Sequence, residues 1–459
     1  MRLRIERISP EGVGLGRPDG GGKVHFVPHT APGDLVEAEV TRFEQGFARA
    51  RIQKLVQAGP GRVTPRCALH FRADAPAAPA CGGCSWQHLN PESQLEGKRA
   101  MVRDCLFRIA KLREPEVEPT LASPEPWRYR NKVQVPFGFA GGKVVAGFFA
   151  SGSHRIVDFN DCLVQPEVSV RLVLKVKELA RELRWPIYDE DKGSGWLRHL
   201  FVRTNRDGKA LAALVTRSKD FPNERQAVDA LRHAFPELLG LYQNVQPEKT
   251  PVVLGPMWRK LWGEDRIEER VGKVRLSVSP EAFLQVNTPA CEVLYGVVSE
   301  MLTSQGFRPD VALDLYSGIG SIALWIAPLC GRVLGVEENR GAVEDAWENA
   351  RLNGVENARF LAGAVETGVA KLRRELANCE RGRAAAVLDP PRAGCTKAVL
   401  KALLDPALGR IVYVSCNPAT FARDADWLNR HAWRLSRVRP VDLFPQTHHI
   451  ETVGLFLRR

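Results

Sequence analysis

Short runs near the start of the chain alternate between apolar and polar residues. Val24-His25-Phe26-Val27, Leu35-Val36-Glu37-Ala38-Glu39-Val40 and Ala48-Arg49-Ala50-Arg51-Ile52 change character with a period of two, as strands burying one face do. Glycine and proline punctuate them closely, so residues 1–58 are expected to close into a small β-barrel. Gly12-Val13-Gly14-Leu15-Gly16 superficially suggests a dinucleotide loop, but Pro18 follows where a helix should begin, and the segment reads as turn glycine. From 59 to 275 strands mix with helical runs such as Val168 to Leu183, which predicts a central α+β domain. From 276 to 459 continuous apolar stretches at 311–316, 333–337, 385–389 and 411–415 alternate with helical patterns at 319–329 and 343–352. Strands apolar on both faces and separated by helices belong to a doubly wound parallel sheet, so the C-terminal domain is expected to be Rossmann-like and the whole chain multidomain α/β.

Composition narrows the partners. A chain of 459 residues exceeds what one hydrophobic core organises, which agrees with three domains. Its 65 Lys plus Arg against 53 Asp plus Glu leave a formal charge of +12, which favours a polyanion. In the barrel, Phe43 and Phe47 lie near Arg42 and Arg49, a mixture suited to base stacking and phosphate contacts. In the central domain Arg128, Arg130, Lys132, Arg198 and Arg203 alternate with apolar or aromatic residues, as strands presenting a basic face would. The first residues lack the apolar core of a signal peptide, so a cytoplasmic address is expected. The longest uncharged run, Leu315 to Gly331, contains Gly, Ser and Pro and reads as strand, turn and helix, so no membrane partner is expected. Ten cysteines in such a chain argue for free thiols, metal or catalysis rather than disulfides.

The candidate chemistry sits in the last domain. Leu313-Asp314-Leu315-Tyr316-Ser317-Gly318-Ile319-Gly320 places two glycines where a strand turns into a helix, so a ligand can approach the backbone. Glu337 ends the next strand, in position to accept hydrogen bonds from ribose hydroxyls. One glycine pair, without the full dinucleotide fingerprint, favours S-adenosylmethionine, which has no pyrophosphate to cradle, and Tyr316 can line that pocket. Asp389-Pro390-Pro391-Arg392 ends another strand at the edge where α/β proteins bind ligands, and its prolines stiffen the loop. Arg392 stands where amino-directed methyltransferases carry an aromatic residue.

Cys416 follows Val412-Tyr413-Val414-Ser415, and Asn417-Pro418 stops the strand and exposes its sulfur. A thiolate can add to C6 of uracil and make C5 nucleophilic, and a carboxylate such as Glu451 can then remove the C5 proton. The bland readings are an inert core thiol, a solvated acid and, for His448-His449, a metal site without an evident third ligand. Cys67, Cys81, Cys84 and Cys162 form C-x13-C-x2-C-x77-C, a set able to hold zinc or an iron–sulfur cluster.

Taken together, Phe283-Leu284-Gln285-Val286-Asn287, Asp314 to Gly320, Leu388-Asp389-Pro390-Pro391-Arg392, Ser415-Cys416-Asn417-Pro418 and His448-His449-Ile450-Glu451 resemble the RNA 5-methyluridine methyltransferase family. The resemblance implies a class I methyltransferase domain at 276–459, Cys416 as nucleophile and Glu451 as proton acceptor. It also implies methyl-donor contacts from Gln285, Tyr316, Glu337 and Asp389. The run Cys81-Gly82-Gly83-Cys84 followed by Gln87-His88 is similar to the 4Fe-4S site of the family's ribosomal RNA branch, which implies that cluster, rather than zinc, on Cys67, Cys81, Cys84 and Cys162. The barrel resembles a TRAM domain. Barrel and cluster together point to an enzyme acting on uridine C5 of 23S ribosomal RNA, and a monomer is expected. A transfer-RNA enzyme of the same mechanism and a non-catalytic RNA-binding protein on the same fold are the alternatives.

Overall fold

The alternating N-terminal runs close on themselves. In the computed structural model, which describes all residues but 19, 20, 77 and 378 and leaves out the side chains of 367 and 369–373, β1 (Arg2–Ile8), β2 (Gly14–Pro18), β3 (Val24–Val27), β4 (Leu35–Phe43) and β5 (Phe47–Gln57) form a closed barrel. Its strands are arranged in the order β1-β2-β3-β5-β4. Every second residue points inward, so Leu3, Ile5, Val36, Ala38, Ala50 and Ile52 make the core. The glycine-rich run 12–16 enters β2, as a turn should.

A long helix, α1 (Pro91–Arg108), follows the cysteine-rich segment. Asn90 caps it, accepting a hydrogen bond from the Ser93 amide at 2.8 Å, and Pro91 occupies the first turn, where its missing N–H costs nothing. Although α1 precedes the central sheet, its Val102, Cys105 and Leu106 are buried in one core with Leu313, Leu388 and Tyr413 of the C-terminal sheet.

The central region contains β6 (Lys132–Ala140), β7 (Lys143–Phe149), β8 (Ile156–Asp158), α2 (Glu167–Glu182), β9 (Leu197–Thr204), β10 (Ala210–Thr216), α3 (Glu224–Ala234), β11 (Leu238–Val245) and β12 (Met257–Gly263). The strands form one sheet in the order β12-β11-β10-β9-β6-β7-β8. Side chains on one face pack on α2 and α3, and those on the other, including Phe201, Leu211 and Val215, join the core of the C-terminal domain. β9 and β10 are therefore buried along their whole length. That overturns part of the expected basic face. Arg203 is buried and donates to the Ala282 carbonyl, and Arg198 is buried with its guanidinium on the carbonyls of Gln246 and Glu248 at 2.8 and 2.6 Å. Arg128 is tied to Asp161 at 2.8 Å. Strand periodicity places a side chain on a face but does not say whether another layer covers that face.

A hairpin, β13 (Ile267–Val271) and β14 (Val274–Val278), leads into the last domain, and the boundary expected at 275/276 falls inside it. Its Ile267, Val271, Leu276 and Val278 pack with α4 (Thr288–Thr303), which places the hairpin in the C-terminal core. The remaining elements are β15 (Val311–Leu315), α5 (Ser321–Ile326), β16 (Arg332–Glu337), α6 (Arg340–Leu352), β17 (Ala358–Ala362), α7 (Val365–Leu376), β18 (Ala384–Leu388), α8 (Lys397–Ala402), β19 (Leu408–Ser415), α9 (Pro418–Asn429), β20 (Trp433–Val441) and β21 (Glu451–Arg458). The sheet order is β17-β16-β15-β18-β19-β21-β20, with the first five strands parallel and β21 antiparallel between β19 and β20. The strand order reverses direction at β15, so a ligand crevice is expected where β15 and β18 end. No described helix is long and apolar enough to cross a membrane.

Segment 442–450, between β20 and β21, is held from below by α1. The Lys98 ammonium is fully buried on the Asp442 carboxylate and also donates to the Phe444 carbonyl at 3.1 Å. Lys98→Ala leaves that carboxylate buried without its cation, so a loss of about 3–5 kcal/mol is expected in urea unfolding. The pair Lys98→Met with Asp442→Leu should lose much less.

Candidate active site and cysteine cavity

The ligand edge is built by strand ends. After β15 the chain turns through Tyr316 at φ +68°, Gly318 at φ +52° and Gly320 at φ +81°, three left-handed residues in five. A Cβ on Gly320 would stand 2.9 Å from the Phe360 ring, whereas one on Gly318 would meet nothing within 4 Å. The first glycine therefore leaves open space for a ligand, and the second lets α5 pack. Glu337 sits at the end of β16 and accepts from the Gly318 amide at 3.0 Å and the Asn339 amide at 2.9 Å, so its carboxylate also fixes the glycine turn. The Tyr316 ring packs on the core layer that contains Leu388, Cys395 and Tyr413.

Beneath this turn lies Asp314, to which the sequence reading assigned no role. It is fully buried and accepts from the Ala323 amide at 2.9 Å. Burial pushes its carboxyl up to about 8, with the nearby carboxylates of Asp389 and Glu337 adding to the rise. Asp389, just past β18, is reached by the Gln285 side-chain amide at a long 3.5 Å. Burial raises Asp389 to about 6, and the Gln285 contact opposes the rise.

Cys416 and Glu451 meet through strand register. β19 and β21 are antiparallel with Ser415 opposite Thr452, so the next positions outward are Cys416 and Glu451. Asn417 then caps α9, its side chain accepting from the Ala419 amide at 3.0 Å, and Pro418 starts the helix, which leaves Cys416 half-buried at the sheet edge. Glu451 is buried, and one of its oxygens has no partner. Its carboxyl is pushed well above the usual range by burial first and the Asp389 carboxylate second, while Arg392 opposes. Burial, with Glu451 and Asp389, raises the Cys416 thiol to about 11, and Arg392 again opposes. Arg392 is exposed, and its carbonyl accepts from Asn417 Nδ2 and Thr420 Oγ1, each at 3.2 Å, which ties its loop to the cysteine loop. The sequence marked Arg392 only as a missing aromatic, and its charge beside the thiol became visible when the two loops were brought together.

The other four cysteines converge elsewhere. Cys67, Cys81, Cys84 and Cys162 line one cavity of about 200 Å³, walled by Leu69, Phe148 and Phe159. A Cβ on Gly82 would stand 2.8 Å from the Phe149 carbonyl oxygen, and one on Gly83 would stand 3.3 Å from the Phe148 ring, so the Cys-Gly-Gly-Cys turn fits only without side chains. Burial and the neighbouring thiols push Cys81 up to about 11 and Cys84 up to about 12, and Cys162 is raised as well. Four thiolates here need a cationic centre to hold them, and the donor set fits one. Among the described residues, no three of these sulfurs lie within 4.8 Å of one another, which a single small ion would require. Among the described residues, no third donor joins His448 and His449 within 4.8 Å either.

Cavity and reactive edge are joined. The Trp86 amide donates to the Gln446 carbonyl at 2.9 Å, Ser85 Oγ accepts from the His448 amide at 3.0 Å, and Gln94 exchanges two hydrogen bonds with Gln446 at 2.9 and 3.1 Å. The segment leading into Glu451 is thus braced by the residues that follow Cys84.

Residues 264–459 match the family described as tRNA (uracil-5-)-methyltransferase, and residues 1–52 match the TRAM domain. The chain is 37% identical over 456 residues to an uncharacterized RNA methyltransferase of Halalkalibacterium halodurans, covering 99% of this chain and 96% of that protein. It is 38% identical over 460 residues to one of Gloeobacter violaceus, covering 100% and 96%. Among solved structures, the tRNA (uracil-54, C5)-methyltransferase of Pyrococcus abyssi in complex with S-adenosyl-L-homocysteine superposes with a TM-score of 0.76 at 29% identity, covering 100% of both chains.

The electrostatics at the edge predict thiol reactivity. Below about 11, Cys416 alkylation by iodoacetamide, followed by mass spectrometry, should accelerate as pH rises. At a fixed mildly alkaline pH, Glu451→Gln removes a charge that raises the thiol and should speed labelling. Arg392→Ala removes one that lowers it and should slow labelling.

Proposed function

We propose, from the premise that this chain belongs to the RNA uracil-5-methyltransferase family, that it methylates C5 of a uridine in 23S ribosomal RNA by way of a covalent Cys416 adduct. The observation that carries this reading is the register of β19 and β21, which sets Cys416 against Glu451 beside Asp389 at the ligand edge.

S-adenosylmethionine supplies the electrophilic methyl group, and Gln285, Tyr316, Glu337 and Asp389 are assigned to hold it. The Cys416 thiolate bonds to C6 of the uracil, and the electron pair of the C5–C6 double bond becomes an enolate. C5 takes the methyl group and S-adenosylhomocysteine leaves. The Glu451 carboxylate then accepts the C5 proton, the double bond re-forms and the C6–S bond breaks, which returns the thiolate. Burial suits Glu451 to this work, because a carboxylate of raised pKa is the stronger base. Arg392 favours the thiolate, and the target base must leave its stack to reach the sulfur. On the barrel, Phe43 is 71% exposed and Arg49 lies over the rings of Phe26 and Phe47, which provides a stacking and phosphate-binding surface for RNA.

The barrel together with the four-cysteine cavity supports a ribosomal substrate. A transfer-RNA substrate is the second reading, favoured by the Pyrococcus abyssi transfer-RNA enzyme whose structure matches this chain end to end. We assign a 4Fe-4S cluster to Cys67, Cys81, Cys84 and Cys162, since sulfurs set wider than one ion can share suit a multi-iron core better than zinc. The cluster supplies no electron to the methyl transfer, and its place beside Ser85 and Trp86 gives it a structural part.

RNA carrying 5-fluorouridine tests the chemistry and the substrate together, because fluorine cannot leave as a proton. With the methyl donor, 23S ribosomal RNA should give a stable protein–RNA adduct on denaturing gels that Cys416→Ala does not form. An adduct equal in Cys416→Ala would sink the mechanism, and an adduct with transfer RNA alone would select the second reading. With ordinary RNA, Glu451→Gln should accumulate a methylated adduct. For the metal, anaerobically purified protein should be brown and contain about four irons, whereas colourless protein holding one zinc on the cysteines would overturn the cluster.

A further inference from the structure

We propose that His29, His70 and His88 form a second metal site, adjoining the cysteine cavity that His70 also lines, that takes a divalent transition ion, zinc foremost, and pins the barrel to the cysteine-rich segment. His29 lies in the loop between β3 and β4 of the barrel, and His70 and His88 flank Cys81 and Cys84 in sequence. One ring nitrogen from each of the three lies within 4.8 Å of the others. The ring centroids form a triangle with sides of 5.6, 5.6 and 6.1 Å.

Each ring has one enclosed nitrogen without a hydrogen-bond partner: Nδ1 of His29, Nε2 of His70 and Nδ1 of His88. On two rings the other nitrogen is engaged by a backbone carbonyl, His70 Nδ1 with Phe71 at 3.0 Å and His88 Nε2 with Thr30 at 3.3 Å. A carbonyl on one nitrogen fixes the tautomer and leaves the opposite nitrogen with its lone pair, which is how metal-ligating histidines are held. Three buried polar atoms unsatisfied in one place are rare in a folded chain, and one ion satisfies all three.

Arg62 stands close to the rings, and its charge is matched. Asp34 accepts from its guanidinium at 2.7 Å, and the same guanidinium donates to the His29 carbonyl at 2.6 Å, which fixes the loop and leaves the ring free. His29 itself sits at φ +60°, a conformation that L residues avoid, and its ring stacks on Phe71 at 4.6 Å while standing edge-on to the other two. Three imidazoles with no sulfur or carboxylate suit zinc, cobalt or nickel, and water completes the fourth position.

The full-length protein tests this with zinc and cobalt as probes. Cys81→Ser/Cys84→Ser protein should still bind one equivalent of zinc, and adding His29→Ala should remove it. The partly exposed His29 is the substitution least damaging to folding. If the cysteine variant fails to fold, zinc-edge X-ray absorption on zinc-loaded wild type decides instead, because iron on the cysteines is silent at that edge. A nitrogen or oxygen shell at about 2.0 Å supports the site, and a sulfur shell at about 2.3 Å overturns it. Absence of bound zinc in folded cysteine variant overturns it equally. Cobalt adds a signature: histidine-bound cobalt lacks the intense thiolate charge-transfer absorption that cobalt on the cysteines shows.

Discussion

The buried contact between Lys98 and Asp442 holds the segment on which the active site depends. Residues 442–450 are not part of the sheet, yet they set where β21 begins and therefore where Glu451 lies. A loop in that position would ordinarily be held by its own turns. Here it is fastened by a buried ion pair and by side-chain and backbone bonds from Ser85, Trp86, Gln94 and Tyr129. An isolated buried ion pair adds little net stability, but removing one partner is costly, so it specifies one arrangement in preference to others.

This bracing ties the cysteine cavity to the segment that leads into Glu451. The Cys81–Cys84 turn is followed at once by Ser85 and Trp86, which bond to His448 and Gln446. Whatever fixes that turn also fixes the segment leading into Glu451. The barrel enters the same construction, because the Trp86 indole donates to the Gly12 carbonyl at 2.8 Å and a Cβ on Gly12 would stand 2.3 Å from His448. Barrel, cysteine-rich segment and the segment before Glu451 thus meet at one junction.

The reactive edge balances opposing electrostatic demands. Enclosure raises Glu451, Asp389 and the Cys416 thiol together, and each carboxylate raises its neighbours further. Arg392, on a loop stiffened by two prolines, is the cation that opposes both rises at Cys416 and Glu451. Enclosure that raises the carboxylates also makes the thiol reluctant to ionise, and the position of Arg392 moderates both effects.

Much was legible in the chain itself. Period-two alternation marked the barrel, continuous apolar runs marked β15, β16, β18 and β19, and the residue types at Cys416, Glu451, Asp389 and Glu337 limited the chemistry they can perform. These are local properties, fixed by side-chain spacing and functional group. β17 and β20 were not legible, since their apolar positions are few or irregular, and Arg198 and Arg203 were misread as a solvent face because a second layer covers their sheet. Tertiary structure alone decided that Glu451 is buried, that Arg392 stands beside the thiol, and that His29 meets His70 and His88. Each of those depends on segments far apart in sequence meeting in space, and pKa, burial and metal affinity are set by what surrounds a group rather than by what precedes it.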